Sequence, residues 1–170
     1  MSKKISIAID AMGGDNSPDK TLNGIKMFID RNLAKDDFIL NIFGKEDIIK
    51  DKIKELNINT KSINIIHSDT IVSDEETPLT AIKSSKNTSM WNCIKHQQDG
   101  KSDISLSAGN TGVLLVISRM ILKMMNEVSK PALAGLWPNK KGMNVVLDLG
   151  ANIECNEKNL VDFSCMGSAL

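Results

Sequence analysis

"SLSAGNTGVLL", residues 105–115, joins a short apolar strand to a hydrophobic helix through Ser107, Ala108, Gly109, Asn110, Thr111 and Gly112. Small and polar residues between two elements that bury themselves well mark a strand-to-helix turn. The same unit recurs outward from this stretch. Toward the N-terminus, Ile5, Ile7 and Ile9 alternate as a strand, and Leu22, Ile25, Phe28 and Ile29 follow at helical spacing in a segment expected to run from Pro18 to about Ala34. "FILNIFG" (38–44) precedes the amphipathic "KEDIIKDKIKEL" (45–56), and "SINIIHS" (62–68) is separated from "DISLSAG" (103–109) by a long helical stretch beginning near Pro78. Toward the C-terminus, "NVVLDLG" (144–150) closes the series as a fifth strand. Strands with little polar interruption, alternating with helices, predict an α/β fold: a mostly parallel sheet with helices on both faces. No repeat or linker breaks the pattern, so residues 1–170 read as a single α/β domain.

Composition narrows the function. With 41% apolar and 25% charged residues and no low-complexity tract, the chain is globular. Lys plus Arg balances Asp plus Glu at 21 each, so no overall basic field exists for nucleic acid or an anionic membrane, and nucleic acid is not an expected partner. Cys93, Cys155 and Cys165 form no CxxC pair and have no histidine at zinc-ligand spacing. They read as ordinary buried or half-buried thiols of a reducing cytoplasm, and no metal site is expected. The opening "MSKKISIAIDAMGG" reads as strand one because Asp10 interrupts any signal-peptide apolar run. The most apolar segment, "VLLVISRMILKMM" (113–125), is too short for a bilayer span and carries Arg119 and Lys123, so it reads as a core or interface helix.

In open parallel sheets ligands bind beyond the carboxyl ends of the strands. The unusual residues fall there: strand one ends in Asp10 and then "AMGGD", strand four in "SAGNTG", strand five in "DLGAN". Glycines let backbone N–H groups approach a ligand, and a helix starting near Thr111 directs its positive end to the same place, which favours an anion such as phosphate. Tight turns with Asn110 or Thr111 as N-cap would use the same residues. "AMGGD" is not GxGxxG and no GxxxxGK[ST] occurs, so neither a dinucleotide fingerprint nor a P-loop is present.

"IAIDAMGGDNSP", "ETPLTAIK", "SAGNTG", "SKPAL", "LDLGAN" and "FSCMGSA", in this order, resemble the bacterial phosphate acyltransferase (PlsX) family of phospholipid synthesis. The resemblance implies transfer of a fatty acyl group from acyl carrier protein to inorganic phosphate, giving acyl phosphate for a downstream glycerol-3-phosphate acyltransferase. It implies a fold similar to phosphotransacetylases and isopropylmalate dehydrogenases, a homodimer, no cofactor, and a cytoplasmic protein in loose peripheral contact with the membrane. Two departures stand out. The family is about twice this length, so the chain resembles its N-terminal half. Lys83 stands where the family usually carries Arg, and Thr88 replaces the first of two serines; Lys keeps the charge and loses the planar fork that grips an oxyanion.

The chemistry asks for donors that hold phosphate, donors that face a developing oxyanion, and exclusion of water. Phosphate is already a nucleophile and a thiolate a tolerable leaving group, so no Ser-His-Asp triad is needed. His67 and His96 read as a strand-end and a surface residue. The expected catalytic residues are Asp10, Asp15 and Lys83, the two acids orienting substrate or relaying a proton. The expected substrate-binding residues are Gly13, Gly14, Ser107, Gly109, Asn110, Thr111, Gly112, Asp148, Gly150 and Asn152. Carboxylates beside a phosphate must pair with Lys83 or Lys86, bind a cation, or hold backbone N–H groups; the sequence leaves these open. The same loops would also serve a phosphate-binding module without catalysis, or a fragment active only with a separate C-terminal half.

Overall fold

The alternation of β1 (Ile5–Asp10) decides what each face of the central sheet meets. In this computed structural model, which describes residues 3–32, 37–73 and 76–170, Ile7 and Ile9 pack with Leu22, Ile25 and Ile29 of α1 (Asp19–Arg31), Leu40 and Ile42 of β2 (Phe38–Gly44), and Ile49 and Ile53 of α2 (Glu46–Glu55). On the other face Ala8 packs with Phe43 and with Cys93 of α4 (Ser89–Gln98). With β3 (Ile63–His67) and β4 (Ile104–Ser107) these strands form a four-stranded sheet of order β3-β2-β1-β4, every neighbouring pair parallel. Val113, Ile117 and Ile121 of α5 (Thr111–Leu122) join Met90 and Ile94 of α4 and Ala81 of α3 (Pro78–Ser84) in a second core. Helices thus cover both faces of a parallel sheet, as the α/β reading requires. Truncating a buried side chain such as Leu22 or Ile42 to Ala would cost about 2–5 kcal/mol.

Contacts gather into two compact units, Met1–Leu122 and Lys123–Leu170. In the second, β5 (Ala134–Asn139) and β6 (Gly142–Leu147) pair antiparallel across a two-residue turn at Lys140 and Lys141, and α6 (Glu157–Ala169) contributes its buried Phe163. This corrects the reading of "NVVLDLG" as a fifth strand of the parallel sheet. Its hairpin partner, "AGLWPN", is obscured in the sequence by Gly135, which weakens a strand, and by Pro138, which a strand tolerates only at an edge, as both strands of this hairpin are.

Two further boundaries differ from expectation. The helical stretch from Pro78 is two helices, because Asn87 takes a left-handed backbone (φ 68°) and the Thr88 hydroxyl caps α4 by accepting from Trp91 N–H at 3.2 Å. The helix of 113–125 stops at Leu122, where Lys123 turns left-handed. The expected end of α1 near Ala34 lies outside the described residues. His96 is half-buried and not simply on the surface: its Nδ1 shares a 2.8 Å hydrogen bond with Ser102, it meets Phe43 edge-on, and burial lowers its pKa. Among the described residues no helix is long and apolar enough to cross a membrane.

Candidate functional site

The chain runs β1, β2, β3 outward on one side of the sheet and returns to place β4 on the other side of β1, so the switch point of the sheet lies between the carboxyl ends of β1 and β4. The parallel register puts Asp10 beside Ser107 there. Asp10 is 1% exposed, and both carboxylate oxygens are held. Oδ1 accepts from the Met12 N–H at 3.1 Å, and Oδ2 accepts from the Ser107 hydroxyl at 2.7 Å. Ser107 Oγ in turn accepts from the Gly109 N–H at 3.1 Å, which fixes the hydroxyl proton toward Asp10. Of the three fates open to a carboxylate here, Asp10 therefore takes the last, the holding of a backbone N–H group.

Glycine is required at this junction by crowding. A Cβ on Gly13 would lie 2.6 Å from Asp10 Oδ2 and 2.8 Å from both Gly109 N and Ser107 Oγ. Gly14 combines φ +86° with a Cβ position 2.5 Å from the Ala108 carbonyl oxygen. At Gly109 a Cβ would meet Met90 Cε at 2.7 Å and Gly13 Cα at 3.3 Å. The "AMGG" and "SAGN" loops thus pack glycine on glycine, and Ser17 stitches the first by donating to the Gly13 and Gly14 carbonyls at 2.6 and 2.7 Å.

Asn110 opens α5 as its cap: Oδ1 accepts from Val113 N–H at 3.1 Å, while Nδ2 donates to the Glu76 carbonyl at 3.2 Å. Helix geometry leaves the N–H groups of Thr111 and Gly112 without acceptors inside α5, at the positive end of its dipole. Gly112 admits the start of α3, since a Cβ there would sit 3.0 Å from Pro78 Cγ. Asp15 is exposed and lines a separate cleft of about 710 Å³ with Met12, Gly14, Asn16, Ser17 and Ile71–Ser73. Lys83 is exposed in the last turn of α3 and takes no part in the bonds around Asp10. The first unit thus brings together Asp10, Gly13, Gly14, Ser107, Gly109, Asn110, Thr111 and Gly112, with Asp15 and Lys83 outside that hydrogen-bond chain.

Asp148, Gly150 and Asn152 belong to the second unit and form a cluster of their own. Asp148 Oδ1 accepts from Asn152 N–H at 3.1 Å and from Asn152 Nδ2 at 2.8 Å, and Asn152 Nδ2 also donates to the Pro131 carbonyl at 2.8 Å. The exposed Cys155 donates to Asp148 Oδ2 at 3.6 Å, and partial desolvation of its thiol, then this carboxylate, raise its pKa. Cys93 lies behind the first site, its thiol pushed up to about 12 by burial. Cys155 and Cys165 are exposed, where the sequence reading expects buried or half-buried thiols.

Met12, Ser17 and Met90 also build this junction, and no motif in the sequence marks them for it. Ser17 lies within the quoted "GGDNSP" stretch. For Met90 no sequence signal distinguishes it from any core methionine.

A family model described as fatty acid synthesis protein matches residues 5–170. A phosphate acyltransferase of Pelagibacter ubique is 54% identical over the whole chain, which covers 50% of that protein, and one of Azorhizobium caulinodans is 35% identical, covered to 47%. Among solved structures, a phosphotransacetylase from Streptococcus pyogenes superposes with a TM-score of 0.65 at 12% identity, over 95% of this chain and 51% of that one. The EutD phosphotransacetylase from Staphylococcus aureus gives 0.61 at 16% identity, over 94% and 50%. These likenesses fix the fold as that of the phosphotransacetylases. The chain spans about half the length of the curated relatives it matches, and over that span it belongs to the fatty acid synthesis protein family that holds the phosphate acyltransferases.

Proposed function

We propose that this chain carries the phosphate-side catalytic loops of an enzyme that transfers a fatty acyl group from acyl carrier protein to inorganic phosphate. The observation that carries this reading is the part-buried chain Gly109 N–H to Ser107 hydroxyl to the buried Asp10 carboxylate, set at the switch point beside the start of α5. Phosphate bound by the Thr111 and Gly112 N–H groups would have an oxygen free to attack the thioester carbonyl. The new C–O bond forms as the C–S bond breaks, and the leaving thiolate takes up a proton. Asp10, acting through Ser107, is the group assigned to receive the phosphate proton and return one to the sulfur. Lys83 and Asp15, both exposed, are assigned to the approach of substrate. No acyl-enzyme is required, in keeping with a Cys93 thiol that stays protonated at neutral pH.

Acyl carrier protein, a homodimer, a downstream glycerol-3-phosphate acyltransferase and peripheral membrane contact in the cytoplasm belong to the same proposal. The test incubates acyl carrier protein loaded with a fatty acid, phosphate and the chain, alone and joined to the region its relatives carry beyond it, with hydroxylamine to capture acyl phosphate. Phosphate-dependent hydroxamate is the expected product. Phosphate binding without hydroxamate in the joined protein would favour a binding module. Hydroxamate only from the joined protein would mark this chain as a part that acts with its second half.

A further inference from the structure

A second opening adjoins the Asp10–Ser107 junction on the α1 face of the sheet. It is an open-sided cavity of about 490 Å³, lined by Ile7, Ile9, Leu40 and Leu106 on the strands and by Thr21, Gly24, Ile25 and Phe28 on α1. Its wall at the carboxyl ends of β1 and β4 is Asp10, Ser107 and Ala108, residues of the site described above. We propose that this cavity holds the acyl chain of the substrate, with the thioester at the Asp10–Ser107 end.

Three observations select this occupant. Apart from that one end and Thr21 on α1 the lining is apolar, which suits a ligand with a long apolar body and a polar terminus. A methylene fills about the volume of one water, roughly 30 Å³, so the cavity takes a chain on the order of ten to sixteen carbons. Gly24, in the middle of α1, has nothing within 4 Å of where its Cβ would lie, so no protein contact in the structure asks for a glycine there, while the open space beside it continues the cavity. Thr21, Gly24 and Phe28 recur at helical spacing and form one stripe of α1 along the cavity.

The inference rests on the acyl-transfer reading, but its test does not depend on turnover. Neutral, non-hydrolysable S-alkyl pantetheine thioethers of four, eight and twelve carbons are titrated calorimetrically into the chain, its Gly24→Leu variant and its Leu106→Glu variant, with circular dichroism to verify folding. Affinity of the unchanged protein should rise at least a hundredfold from four to twelve carbons, as burial of methylenes requires. Gly24→Leu should weaken the twelve-carbon ligand tenfold or more and leave the four-carbon ligand within twofold, and Leu106→Glu should abolish the gain with length. Equal length dependence in all three proteins overturns the proposal, even where hydroxylamine captures acyl phosphate. So does a dimer that Gly24→Leu disrupts with no thioether binding, which would assign the cavity to a polypeptide. Length-dependent binding that Gly24→Leu shortens, with no acyl phosphate formed by the joined protein, supports the cavity assignment and refutes only the catalytic reading.

Discussion

The loops after β1 and after β6 are written in the same alphabet, "DAMGGD" and "DLGAN", yet they are held in opposite ways. Asp10 reaches across to Ser107, 97 positions away in sequence, and the glycines beside it are walled in by a second loop. Asp148 reaches four residues ahead to Asn152, and Gly150, with φ +79°, has nothing within 4 Å of its Cβ position. One loop is a joint between distant strands; the other is a turn whose aspartate is held by its own side chains, with one bond from Asn152 to the Pro131 carbonyl. The difference teaches that a glycine in a strand-end loop can serve neighbouring backbone as much as a ligand, and that residue type alone does not say which.

The strongest way to break this comparison is a matched pair of substitutions. Gly14→Ala meets left-handed strain and the Ala108 carbonyl at 2.5 Å, a backbone atom that cannot step aside, so it should cost about 3 kcal/mol or more. Gly150→Ala meets the strain alone and should cost about 1 kcal/mol. Urea denaturation followed by circular dichroism reads both; equal costs would mean that the two loops are held alike.

The aspartates separate by activity. Asp10→Asn keeps the acceptor for Met12 N–H but turns a donor toward Ser107, whose oxygen already accepts from Gly109, so the proton path through Ser107 reverses. Turnover to acyl phosphate in the complete protein should fall by about 10²-fold, the scale of a positioned acid or base. Asp148→Asn should cost less than tenfold, because its bonds to Asn152 shape a loop. A larger loss at 148 than at 10 would move the chemistry to the second unit.

Much of the first unit was legible because its signals are local. Period-two isoleucines, helical stripes and polar loops at strand ends give the four strands and the helices between them. The β1–β4 register was not legible, since pairing Asp10 with Ser107 depends on which strand returns beside β1, and no residue near either position encodes that choice. For the same reason Gly109 reads as an opening for a ligand when its Cβ position is occupied by Met90 Cε and Gly13 Cα, so a bulky residue at 109 would disturb the junction itself. Gly135 and Pro138 hid β5, and the left-handed Asn87 before the Thr88 cap split a helix whose apolar spacing reads as continuous.

Each aspartate also has a cysteine beside it, and the pair gives the smallest and sharpest test. Burial holds the Cys93 thiol at about 12 against an ordinary 9.0, with the Asp10 charge adding in the same direction. The folded protein therefore keeps this proton between pH 9 and 12 while the unfolded chain releases it, so rising pH favours the unfolded state. Stability should be insensitive to this group below about pH 8 and fall by up to about 1.4 kcal/mol per unit above pH 9, a slope that Cys93→Ala removes. Cys155 is also shifted upward, by desolvation and by the Asp148 carboxylate beside it, and adds a slope of the same sign that Cys155→Ala should remove. At pH 8 iodoacetamide should modify Cys155 and Cys165 and spare Cys93 until urea unfolds the first unit. Mass spectrometry of the protein after turnover should find no acyl group on Cys93, and an acylated Cys93 would replace direct attack by phosphate with a covalent intermediate.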